Sequence, residues 1–130
     1  MNVERFNRRY GTFGTEGARR VQVDVVGAAV GVNGYTTIAQ ADRLAEVLAL
    51  ESGKRLLDVG AGAGWPGLYL AEQTGCKVVL TDIPANAVRA AARRATEQKL
   101  ADRCSFALAS GVSLPFRVRS FDAIVHTDTL

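Results

Sequence analysis

The chain has few cysteines, a single histidine and no apolar run of membrane-spanning length. Cys76 and Cys104 are its two cysteines among 130 residues, each beside an expected strand. Two cysteines in an ordinary core make neither a disulfide framework nor a metal site. They imply reduced thiols and a cytoplasmic protein. A membrane span needs about 20 consecutive apolar residues, and none is present. Residues 25–32 are apolar and follow Arg19-Arg20, but Gln22 and Asp24 interrupt the segment, so no export signal is expected. Repeats and low-complexity tracts are also missing. Charge is nearly balanced at a net +3, and the excess lies in residues 1–20, where five arginines face Glu4 and Glu16. A basic arm without interleaved aromatics is a solvated arm sooner than a nucleic-acid site, so no nucleic-acid partner is expected.

What remains is the composition of one soluble globular domain, 48% hydrophobic and 22% charged. Residues 1–15 read as a loosely held arm. In residues 16–30, alternating valines suit a strand, while Ala18, Val21, Val25 and Ala28 suit a helix face; a helix is expected. Residues 31–34 are a loop. Thr37 and Gln40 match a capping box, and Ile38, Ala41, Leu44, Ala45 and Leu48 give an amphipathic helix over 38–50. Strands are expected at 55–60, 77–81, 103–108 and 121–126. Helices are expected at 66–73, closed by Gly75, and at 84–100. In the second of these, Ala87, Val88, Ala91, Ala92 and Ala95 should face the sheet, and Arg89, Arg93 and Glu97 water. Alternating strands and helices imply an α/β fold with a doubly wound parallel sheet.

The segment Leu56-Leu57-Asp58-Val59-Gly60-Ala61-Gly62-Ala63-Gly64-Trp65-Pro66-Gly67 carries the chemistry. A buried strand runs into alternating glycines, then into a helix with Pro66 at its first position. Glycine lets the backbone turn sharply and approach a ligand closely. Such a loop holds a nucleotide-like ligand at the carboxyl edge of a parallel sheet. Asp82 ends the second strand, 20 residues after Gly62, where a carboxylate can accept from both hydroxyls of an adenosine ribose. Residues 62–67 also satisfy G-x-G-x-x-G literally, so a nicotinamide-dinucleotide domain must be weighed. Three features oppose it. Asp58 stands in the strand where a dinucleotide fold has an apolar residue. Pro66 lacks the N–H that a pyrophosphate needs. Leu114-Pro115-Phe116 is followed closely by Ser120-Phe121-Asp122-Ala123-Ile124-Val125.

With Leu57-Asp58-Val59-Gly60-Ala61-Gly62-Ala63-Gly64, Asp82, and Leu114-Pro115-Phe116 leading into Ser120-Phe121-Asp122, residues 35–130 resemble the class I S-adenosylmethionine-dependent methyltransferases. The branch they look like methylates small molecules, quinone precursors included. The resemblance implies a Rossmann-like sheet of order 3-2-1-4 with S-adenosylmethionine as cofactor. Gly60, Gly62 and Gly64 would line the methionine part of the donor, and Asp58 would brace the loop. Asp82 would hold the ribose, and Ile83 would pack on adenine. Ser110 replaces the acid the family commonly uses to read the adenine amino group, which bears on affinity, and Gly111 could offer its N–H. Tyr35 could close over the donor or serve equally as a core aromatic. His126 is either a general base or a structural residue at a strand end, and a structural role is expected; no catalytic residue is assigned.

The expectation is therefore an arm and helix over 1–34 and a donor-binding core over 35–130, incomplete at its C-terminus. The function expected is methylation of a small-molecule substrate. The alternative is a non-catalytic nucleotide-binding or interaction module, and a weaker one an NAD-dependent oxidoreductase domain. The family sheet usually has seven strands. A chain ending just after strand four should bind the donor weakly if at all, lack activity alone, and self-associate through the strand-four edge.

Overall fold

The computed structural model describes residues 3–4 and 36–127. The helix expected over 16–30, the loop at 31–34, and Tyr35 lie outside the described residues. Seven elements follow in order: α1 (Ile38–Val47), β1 (Arg55–Val59), α2 (Gly67–Thr74), β2 (Lys77–Asp82), α3 (Ala85–Glu97), β3 (Cys104–Leu108) and β4 (Ala123–Val125). The strands form one sheet, β3-β2-β1-β4, and every pairing is parallel. Leu57 on β1 stands between Val79 on β2 and Ile124 on β4, so β1 is a central strand. Leu56, Leu57 and Asp58 are accordingly buried in succession, the pattern of a strand covered on both faces. This is the α/β parallel arrangement and strand order expected.

α1 opens with the complete capping box: Gln40 N–H donates to Thr37 Oγ1 at 3.2 Å, and Thr37 N–H donates to Gln40 Oε1 at 2.8 Å. It stops three residues before the expected end. Leu48 is the C-cap, Ala49 takes φ +49°, and Leu50 N–H returns to Ala45 O at 3.0 Å. α3 ends the same way: Lys99 takes φ +59°, and Leu100 N–H donates to Ala95 O at 2.7 Å. Both are Schellman motifs whose left-handed residue is not glycine. The following leucines, Leu50 and Leu100, are buried in the main core. An apolar residue at that place extends the helical pattern, which is why both helices read too long in sequence.

Two further expectations are corrected. The inward face of α3 is Ala87, Ala90, Ala91 and Ala95; Val88 and Ala92 are only half-buried. Small apolar residues surround most of this helix, so several stripes fit a period of 3.6. β4 is shorter than 121–126 and is covered on one face. Ala123 and Val125 are buried, whereas Ile124 is 56% exposed. Pro66 is the N-cap of α2, one place before the first helical position, and Gly75 closes that helix at φ +76° as expected.

Candidate functional site

Parallel strands place their C-terminal turns on one edge, and there the candidate residues meet: Gly60–Gly64 after β1, Asp82 and Ile83 at the end of β2, and Ser110 and Gly111 after β3. Gly60, Gly62 and Gly64 take φ of +69°, +57° and +107°, a backbone path that favours glycine. The loop is pinned on several sides. Ala61 N–H donates to Thr81 O at 2.9 Å, and Gly64 N–H closes a turn on Ala61 O at 2.9 Å. Gly62 N–H donates to Asp82 Oδ2 at 2.8 Å. Arg94, from α3, reaches under the loop and donates from Nη1 to Ala63 O at 2.8 Å.

Asp58 is fully buried, and its Oδ2 accepts from Gly67 N–H at 2.9 Å. This bond puts a carboxylate at the first N–H of α2, where a helix N-terminus favours negative charge. Leu68 N–H is likewise occupied, by Gly64 O at 2.8 Å. Asp58 Oδ1 has no hydrogen-bond partner. Burial holds the Asp58 carboxyl well above the usual carboxylate range; the Gly67 N–H opposes the shift and the Asp82 charge adds to it. Gly67 is required by this approach, since a Cβ there would lie 2.7 Å from Asp58 Oδ2 and 3.0 Å from Leu80 Cδ2.

Asp82 is half-buried, with one backbone donor on each oxygen: Gly62 N–H on Oδ2 and its neighbour Ile83 N–H, at 2.7 Å, on Oδ1. Burial raises its pKa despite both bonds. A carboxylate oxygen accepts more than one hydrogen bond, so both keep capacity for ligand hydroxyls. Beside it, Ile83 is 39% exposed, an apolar surface at the rim. Ser110 turns its hydroxyl to its own loop, accepting from Val112 N–H at 3.3 Å. Gly111 lies against the end of β1, where an added Cβ would stand 3.0 Å from Val59 Cγ1. His126 follows β4 on the same edge and is exposed; Val125 pairs with Asp58, which places His126 level with Val59.

Phe116, Phe121 and Asp122 of the second motif do not join this site. Phe116 meets Phe121 edge-on at 5.2 Å, the Arg55 guanidinium lies 5.5 Å from the Phe121 ring, and Asp122 exchanges two 2.8 Å bonds with the Arg55 backbone. The motif fastens the start of β4 to the start of β1, at the opposite edge of the sheet.

Three residues of the site escaped the sequence reading. Trp65, buried beside the loop, donates from Nε1 to Thr36 O at 2.9 Å and stacks obliquely on Tyr69 at 5.2 Å. Tyr69 in turn donates to Asp42 Oδ1 at 2.6 Å, so the glycine loop, α2 and α1 are linked. Gly67 carried a signal, as the last glycine of the literal G-x-G-x-x-G. Arg94 carried none, being one of three arginines spread around α3. Among the described residues, no group of three His, Cys, Asp or Glu could hold a metal ion, and no helix is long and apolar enough to cross a membrane.

The residues present fit a nucleoside carrying positive charge. Asp82 stands at the glycine loop unpaired with any basic side chain among the described residues, and the buried Asp58 carboxyl lies behind it. Comparison with known proteins agrees with that geometry. A family profile described as a methyltransferase domain matches residues 56–130. The 27-O-demethylrifamycin SV methyltransferase of Amycolatopsis mediterranei is 36% identical over 89 residues, covering 68% of this chain and 33% of that protein. A methyltransferase of Geobacter sulfurreducens described as S-adenosylmethionine-dependent, solved with S-adenosyl-L-homocysteine, superimposes with a TM-score of 0.56. It is 29% identical and covers 78% of this chain and 36% of that one. The [4+2]-cyclase SpnF superimposes with a TM-score of 0.63 at 35% identity, covering 66% and 32%. The chain spans between about a fifth and a third of the length of the curated relatives it matches. With this match over more than half its length, the chain belongs to the class I S-adenosylmethionine-dependent methyltransferase family.

Proposed function

We propose that this chain is the donor-binding core of an S-adenosylmethionine-dependent methyltransferase acting on a small molecule. One observation carries the reading against a dinucleotide: an Asp58 carboxyl oxygen already takes the Gly67 N–H at the N-terminus of α2, where a pyrophosphate would bind. A phosphate there would find the Gly67 N–H already taken and would meet like charge from Asp82. A cationic nucleoside would meet attraction instead. The 36%-identical relative, named for a rifamycin, supports a small-molecule acceptor.

In this reading Gly60, Gly62 and Gly64 line the amino-acid part of the donor through backbone groups. Asp82 accepts from the ribose hydroxyls, Ile83 packs on adenine, and Gly111 N–H and Ser110 meet its edge. Asp58 braces the loop by holding Gly67. When bound, the donor supplies a sulfonium methyl group open to in-line attack by an acceptor O, N, C or S atom. The protein's part is to fix two reactants in line and exclude water, a positioning effect of about 7–11 kcal/mol in favourable cases. His126, at the same edge, serves a structural role in this account, and no side chain is assigned as base. The two free buried thiols, Cys76 and Cys104, support a cytoplasmic setting. β4 lies at the edge of the sheet, and chains are proposed to associate through its outer side.

Calorimetry with S-adenosylhomocysteine, S-adenosylmethionine and NAD tests the donor. Preference for NAD, or a folded chain that binds none of the three, overturns the reading. Asp82→Ala should weaken S-adenosylhomocysteine binding by about 2–4 kcal/mol, through lost charge-assisted hydrogen bonds to the ribose. Asp102→Ala, at an exposed acid, is the control. Asp42 does not serve as one, because it holds Tyr69. Equal, small effects from Asp82→Ala and Asp102→Ala would make Asp82 an ordinary surface acid.

A further inference from the structure

Arg94 lies in the last turn of α3, where a side chain could stay in water as Arg93 does one residue before. Instead it is half-buried and crosses 31 residues of sequence to the Ala63 carbonyl. Burying a guanidinium is costly unless its donors are used. Burial pulls its pKa down to about 10, with Glu97 opposing, so it stays charged at neutral pH. A charge-assisted bond from a cation to a carbonyl is stronger than a neutral one.

The place of that bond is informative. Ala63 C=O and Gly64 N–H belong to one peptide plane. Arg94 holds its carbonyl at 2.8 Å, and Ala61 O holds its N–H at 2.9 Å. A peptide held at both ends cannot rotate. Its neighbours are also fixed, Ala61 by the Thr81 carbonyl and Gly62 by Asp82. Ala63 itself is fully buried in a small cluster with Ala87 and Ala90 of α3, and a Cβ on Gly64 would come within 3.6 Å of Ala91 Cβ. The small residues let α3 approach the loop closely enough for Arg94 to reach it.

We propose that Arg94 is a positioning residue of the donor site, setting the glycine-loop backbone that lines the amino-acid part of the donor through the Ala63–Gly64 peptide. This rests on the donor-site reading above. It touches no reacting atom. Its action should be confined to that half of the ligand the loop lines, leaving the ribose and adenine half to Asp82, Ile83 and Gly111.

Two ligands separate positioning from general support of the fold. S-adenosylhomocysteine has the amino-acid tail; 5′-methylthioadenosine has ribose and adenine without it. Arg94→Met should weaken S-adenosylhomocysteine at least tenfold while changing 5′-methylthioadenosine less than threefold. Arg94→Lys, which keeps the charge but not the planar fork, should recover part of the loss. Arg93→Met should leave both within twofold. Equal losses on both ligands would show that Arg94 only supports the fold. An unchanged affinity for S-adenosylhomocysteine would show that it does not set the loop, and either result overturns the inference while the donor-site reading stands. A wild-type chain that binds neither ligand removes that reading and this inference together. Should Arg94→Met fail to fold, Arg94→Lys carries the same comparison: a loss confined to S-adenosylhomocysteine supports the inference and a loss shared by both ligands overturns it.

Discussion

Asp58 shows how one residue serves two demands that conflict. Its Oδ2 secures Gly67 and the start of α2, and its Oδ1 is buried without a partner. Burial raises its folded pKa above the ordinary 3.8. The folded chain therefore holds a proton that the unfolded chain releases. That contribution to stability is fully present below pH 3.8 and is lost as pH rises through the raised value. Urea midpoints should fall as pH rises from about 4 through the raised value. Asp58→Asn keeps an oxygen for Gly67 N–H and removes the titration, so its midpoints should vary less over the same range. Asp82 is shifted in the same direction and leaves a residual slope. Equal slopes in the two proteins would show that Asp58 is ionised in the fold. The sequence marked Asp58 as out of place for a dinucleotide strand. It did not show the orphaned oxygen, because that depends on what packs around β1.

At the scale of elements, the helix ends explain most of the differences from the expected boundaries. Starts were legible because Thr37 and Gln40 form a local chemical signature three residues apart. Ends were not, because Ala49 and Lys99 take the left-handed conformation without being glycine. Leu50 and Leu100 then looked like further helical positions, though each lies past the end and points into the core. An L-residue at φ near +50° carries a cost of about 1–2 kcal/mol that glycine avoids, less glycine's greater freedom in the unfolded chain. Ala49→Gly and Lys99→Gly should each raise stability, by about 0.5–1 kcal/mol, in urea unfolding. A loss at both sites would mean that these side chains make contacts worth more than the backbone strain.

For the whole molecule, the sheet edge matters most. β4 is three residues long and pairs with β1 on one side. Among the described residues its outer side has no neighbouring strand, and Ile124 is exposed beside it. Unpaired N–H and C=O groups on an edge template further pairing, and lysine at an edge discourages it. Sedimentation should show concentration-dependent association of the wild-type chain, reduced in Ile124→Lys. A monomer at every concentration would remove the β4 edge as an interface.

The sequence by itself determined the alternation of strands and helices, the strand order through the family motifs, and the residues gathered at the glycine loop. These depend on short-range signals: buried apolar runs, glycines at alternate places, a proline at a helix entrance, an acid at a strand end. The tertiary structure decided what each does to the others. Only folding shows that Asp58 fills the N-terminus of α2, that Asp82 holds Gly62, that Ser110 turns to its own loop, and that Phe116 packs on Phe121 at the far edge. Arg94 is the clearest case. It follows Arg93 directly in sequence, and the rotation of α3 on the sheet, set by the small residues beneath it, sends one to water and the other to the Ala63 carbonyl.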